Sequence, residues 1–73
     1  MSNYHFTIVV EQDDDGVYIA SCPALQGCYS QGETYQEAVE NLKDAIRLYI
    51  EARQELGEPI PFEIAVERIE VHA

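Results

Sequence analysis

Asp13-Asp14-Asp15-Gly16, Cys22-Pro23-Ala24-Leu25-Gln26-Gly27-Cys28 and Gly32-Glu33-Thr34 follow one another closely, and their reading decides the fold. The first reads as a hairpin turn, because Gly takes positive φ freely and Asp tolerates it. Before it, Tyr4, Phe6, Ile8 and Val10 alternate with His5, Thr7, Val9 and Glu11. That period of two predicts a strand with one strongly apolar face. After it, residues 17–22 read as an antiparallel partner strand. Pro23 ends this strand by removing an amide donor. Gly27 permits another reversal, residues 28–31 read as a short third strand, and Gly32 breaks it.

Thr34-Tyr35-Gln36-Glu37 has the form of a capping box, so a helix is predicted to start there. Gly57 is its expected left-handed stop, with Pro59 beyond. Ala38, Leu42, Ala45, Tyr49, Ala52 and Leu56 form one apolar stripe, widened by Val39, Ile46 and Ile50. The stripe reads as core, with Arg53 snorkelling at its end. Beyond the stiff Glu58-Pro59-Ile60-Pro61 connector, Phe62, Ile64 and Val66 alternate as a fourth strand. The phase then slips to Ile69 and Val71, as a bulge or a strand leaving its own sheet requires. The expected fold class is α+β, in the order β-β-β-α-β: a single mixed sheet with one covering helix, in one domain over residues 1–73.

One helix covers only one face of a sheet. The second strand puts apolar groups on both faces, Tyr18, Ala20 and Cys22 on one and Val17 and Ile19 on the other. The uncovered face lies against water, another subunit or a partner, and a sizeable exposed apolar patch marks an interaction site. A homo-oligomer is expected, most simply a dimer.

Charge narrows the choice of partner. The chain carries 14 acids against 4 bases, a net charge of −10. Residues 1–42 contain no Lys or Arg at all. Such a field repels phosphate backbones, so direct nucleic-acid binding is not expected. It suits a basic protein partner, with faster encounter at low salt. Met1-Ser2-Asn3-Tyr4 has no basic start or apolar run of a secretory signal. No apolar run approaches the roughly 20 residues of a membrane span, so a cytoplasmic location is the expectation.

Reaction chemistry is sparse. The four glycines stand apart and form no phosphate loop. His5 and His72 lie at the chain ends, where no Ser-His-Asp set has support. Cys22 and Cys28 are spaced unlike a usual zinc pair, have no cationic neighbour in sequence, and read as reduced packing thiols. The Asp13–Asp15 carboxylates read as a solvated turn, not a metal site. No metal, cofactor or catalytic residue is assigned.

The spaced pattern Asp15-Gly16-x-Tyr18-x-Ala20, Cys22-Pro23-x-Leu25-x-Gly27-Cys28, Gly32-x-Thr34-x-x-Glu37-Ala38-x-x-Asn41, with the later Gly57-x-x-Ile60-Pro61, resembles the HicB-like antitoxin family. The resemblance covers roughly residues 4–62, and its motif positions are mostly backbone devices. It implies a reduced ribonuclease-H-like fold without that fold's catalytic carboxylates. It also implies a partner, a small basic HicA-type toxin that cleaves mRNA and whose active site the antitoxin masks. The C-terminal DNA-binding segment of many members is not matched, so operator binding is not expected. The contact surface is expected among Glu11, Asp13, Asp14 and Asp15, with Val17 and Ile19 of the uncovered face. Two other functions compete: a solitary oligomeric regulatory or structural domain with no toxin, and a metal-dependent nuclease on the same fold.

Overall fold

The computed structural model describes residues 4–73. Met1 to Asn3, where the secretory start was sought, lie outside the described residues. Three short strands, β1 (Val9–Gln12), β2 (Tyr18–Ser21) and β3 (Tyr29–Gly32), precede one helix, α1 (Tyr35–Leu56). The sheet order is β1-β2-β3 and both pairings are antiparallel. Val10 lies opposite Ala20, which lies opposite Ser30, so these three share a face. Phe6 and Ile8, on the approach to β1, keep the same phase and pack on the core although they make no ladder.

The two loops of the opening motif close as their residues dictate. Gly16 and Gly27 adopt φ of 86° and 76°, the left-handed values that glycine tolerates. In the β2–β3 loop the Cys22 amide donates to the Cys28 carbonyl, the Leu25 amide to Cys22 and the Cys28 amide to Leu25, each at 3.0 Å. This closed ring of bonds turns Leu25 inward, where it is fully buried beside Cys22 and Leu42.

The helix begins and ends where its caps put it. The Glu37 amide donates to Thr34 Oγ1 at 3.0 Å. The Glu37 carboxylate reaches back to the Glu33 amide at 3.3 Å, one residue beyond the reciprocal partner a capping box uses. At the other end Gly57 takes φ of 70°, and the Glu58 and Gly57 amides donate to the Arg53 and Gln54 carbonyls. That pair of bonds is a Schellman closure. Asn41 donates to the Gln31 carbonyl at 3.0 Å and ties α1 to β3. At Gly32 a Cβ would come within 2.6 Å of the Ala38 amide nitrogen, so the helix crosses β3 at a distance only glycine permits.

Three expectations change. Among the described residues there is no fourth strand: residues 62–73 join no ladder, and the sheet is antiparallel, not mixed. The helix therefore makes no crossover to a parallel strand. The physical reason is that a strand needs a free edge and a covered face, and here the segment's apolar residues point into water. Phe62 is 81% and Ile64 93% exposed. The helix stripe is also core for only part of its length. Ala38 and Leu42 are buried and Ala45 and Tyr49 half-buried, but Ala52 and Leu56 are exposed. A helix of 22 residues is about 33 Å long. A strand of four residues is about 13 Å long, so the last turns of α1 overhang the sheet.

Candidate partner interface

The first hairpin builds the acidic end of the sheet. Asp13 Oδ1 accepts from the Asp15 and Val17 amides, both at 2.9 Å. The Gly16 amide donates to the Asp13 carbonyl at 3.0 Å, and the Asp13 amide to Val17 at 2.9 Å. Gln12 Nε2 closes the turn from outside onto the Gly16 carbonyl at 3.2 Å. The Asp13 carboxylate is therefore engaged in shaping the turn. Asp14 and Asp15 are exposed, and their carboxylates extend into solvent beyond it.

Six residues were expected to form the contact surface: Glu11 and Ile19 lie on one face of the first hairpin, Val17 precedes β2 in the phase of Ile19, and Asp13, Asp14 and Asp15 lie in the turn that joins the strands. Glu11 lies directly opposite Ile19 across β1 and β2. Both share the side of the sheet turned away from α1, since Val10, Ala20 and Gly32, of opposite phase, meet the helix side. Val17 is half-buried at the entrance to β2, above the Asp13 turn. Two further residues of this face were not among the expected contacts: Val9, which the alternation of β1 already puts on its less apolar side, and Tyr29. Val9 and Tyr29 flank Ser21 in the next row of the register. Tyr29 is 67% exposed, the most open aromatic in the sheet. Its signal was present in the sequence: it alternates with Cys28, which the Gly27 reversal turns inward. The face thus carries Val9, Ile19 and Tyr29 beside Glu11 and the Asp14–Asp15 tip.

The helix carries both signs of charge, with Lys43 and Arg47 among its exposed acids. Its pairs are local, Lys43 with Glu40 at 3.3 Å and Arg47 with Asp44. Arg53, predicted to snorkel, is half-buried: its guanidinium lies 5.0 Å from the Tyr49 ring centroid and pairs with Glu58 at 3.0 Å. Leu48, off the stripe, is exposed.

Cys22 and Cys28 are free thiols in the core. Burial raises both above their usual value of 9.0, so at neutral pH they stay protonated and weakly nucleophilic. Among the described residues no three His, Cys, Asp or Glu side chains converge as a metal site. Among the described residues no helix is long and apolar enough to cross a membrane.

Comparison with known proteins bears on the family and the fold. A family model described as the HicB-like antitoxin of bacterial toxin-antitoxin systems matches residues 6–73. An UPF0150 protein of Thermoplasma acidophilum is 47% identical over 68 residues, covering 93% of this chain and 97% of the relative. An UPF0150 protein of Synechocystis is 47% identical over 60 residues, covering 82% of this chain and 76% of the relative. The crystal structure of the N-terminal domain of the Burkholderia pseudomallei antitoxin HicB superposes with a TM-score of 0.73 at 38% identity, covering 84% of this chain and 72% of that one. A spaced motif of turn, loop and cap residues, a β-β-β-α fold built on those residues, and a family match over nearly the whole chain lead to one conclusion: this protein belongs to the HicB-like antitoxin family.

Proposed function

We propose that this protein is the antitoxin of a toxin–antitoxin pair, acting as a homodimer in the cytoplasm, and that it neutralises a small basic HicA-type mRNA-cleaving toxin by binding and not by catalysis. One observation carries the reading beyond family membership. An acidic hairpin tip, Asp14 and Asp15 with Glu11, is continuous with an uncovered apolar sheet face of Val9, Ile19 and Tyr29. Apolar area supplies affinity, while the acidic rim steers a basic partner and speeds encounter. The first 42 residues hold no base to oppose that steering. Covering the toxin's cationic RNA-binding surface with this face keeps mRNA away from it.

The test is association with a small basic HicA-type protein, sought first in the reading frames beside this gene. Asp14→Asn with Asp15→Asn should lower the on-rate about tenfold at low salt and much less at high salt. Asp13 is left alone, because its carboxylate holds the turn. Tyr29→Ala should act mainly on the off-rate. No association of the wild-type pair at micromolar concentration, or no loss of the toxin's mRNA cleavage on mixing, would remove the antitoxin reading.

A further inference from the structure

The chain carries too much surface for its mass. Its accessible area is 6155 Å². A compact chain of 8.3 kDa exposes about 4,600 Å², an excess of about 1,600 Å². The radius of gyration is 14.0 Å, where a compact chain of this length has about 11 Å. An obligate homodimer buries about 1,000–2,500 Å² from each chain, so the excess matches what one dimer interface removes from water.

The excess has two complementary parts. One is an arm, residues 62–71, in which Phe62, Ile64 and Val66 alternate and stand exposed. Among the described residues its backbone makes no backbone hydrogen bond. Its root is tied down: the Glu63 carboxylate accepts from the Thr7 amide and from Thr7 Oγ1, the latter at 2.7 Å. That tie holds the start of the arm beside its own Thr7, while Ile64 stands 93% exposed and Phe62 and Val66 border an open groove with Val9, Pro23 and Ala24. The other part is an apolar groove of about 380 Å³ between the approach to β1 and the helix, lined by Phe6, Ile8, Val39, Leu42 and Ile46. It exists because α1 packs chiefly on β3 and leaves the β1 side of the core uncovered. β1 is also an outer strand, with an edge that no described strand occupies.

We propose that the arm is a donated strand: beyond the Glu63 tie, residues 64–68 of each copy lie along the β1 edge of a second copy and bury Ile64 and Val66 in its groove. The exchange is reciprocal, as a two-fold axis requires. It adds a fourth strand to each sheet and closes each core with a partner's side chains. A donated strand gains main-chain hydrogen bonds along the edge and specificity from alternate side chains. The occupant is a second copy, because Ile64 and Val66 stay exposed in the single chain and the surplus area lies within the range that one homodimer interface buries from each chain. This inference rests on the homodimer reading above, and salt separates it from the toxin contact. Two copies each of charge −10 repel, so salt tightens the dimer while it loosens an acidic–basic pair.

Sedimentation velocity on the full chain at about 1–100 μM tests it. Wild type should sediment as a dimer, more tightly in 0.5 M than in 0.05 M salt. Ile64→Asp with Val66→Asp should weaken the dimer at least about 100-fold, from two aliphatic side chains lost per arm. Both positions are exposed in the single chain, so its helix content by circular dichroism should not change. Val39→Cys with Ile64→Cys should oxidise to a covalent dimer. Three results would overturn the proposal. A wild type monomeric at 100 μM removes both exchange and homodimer, with toxin binding judged separately. A charged-arm variant that stays dimeric removes exchange and leaves a dimer built otherwise. Closure of the cysteine pair within one chain, or no closure, shows that the arm fills its own groove or another place.

Discussion

The N-terminal half of the helix and the residues beyond its end are equally apolar in pattern, yet opposite in fate. Ala38 and Leu42 meet Ala20, Leu25 and Cys22 and lose almost all contact with water. Phe62, Ile64 and Val66 alternate as regularly, with the period of a strand, and stay exposed. The difference is the substrate beneath them. The first group lies over a three-stranded sheet whose loops fold inward. The second overruns it. Periodicity says that a face is meant to be covered, and not by which chain.

The largest effect should break the closed half. Leu42→Ala should cost about 2–5 kcal/mol, from a cavity beside Leu25 that a well-packed site cannot collapse. Ile64→Ala, measured by urea unfolding at a concentration too low for association, should cost under about 0.5 kcal/mol, because nothing in the single chain packs on it. Equal losses would show that the arm already belongs to the core of its own chain.

A smaller effect sharpens the contact that closes that half. Gly32→Ala puts a methyl within 2.6 Å of the Ala38 amide and 2.9 Å of Glu37 Cβ. Backbone must move, at a cost of about 1–3 kcal/mol read from the same unfolding curves. Unchanged stability would mean that α1 rides higher over β3 than described.

The smallest effect concerns pH. Burial raises the Cys22 and Cys28 thiols, while the unfolded chain ionises them near the usual 9.0. The unfolded state therefore releases protons first as pH rises. The stability from keeping these thiols neutral is complete below about pH 9 and is lost progressively above it. The drop in urea midpoint from pH 7 to pH 10 should be smaller in Cys22→Ala with Cys28→Ala than in wild type. An identical drop would leave the alkaline loss to other groups.

Much of this was legible from particular residues. Gly16, Pro23, Gly27 and Thr34 act on the backbone within a few positions of themselves, and each ends or reverses the chain where its chemistry requires. The acidic tip was legible for the same reason, although only the turn geometry separates Asp13, which holds it, from Asp14 and Asp15, which do not. Tyr29 was missed because its exposure depends on the register of β3 against β2. The spacing of Phe62, Ile64 and Val66 was read as a fourth strand, but among the described residues this segment joins no ladder.

The amino-acid sequence by itself determined the turns, the caps, the three strands, the single helix and the acidic sign of the first half, since all of these follow from local backbone preference and from composition. Only the tertiary structure decided which side of the sheet stays open, that the helix covers β3 and β2 more than β1, and that the last apolar segment lies outside the core. Those outcomes depend on how far α1 extends past four-residue strands and on how close Gly32 lets it approach. They arise from distances between elements far apart in the chain, which no local pattern encodes.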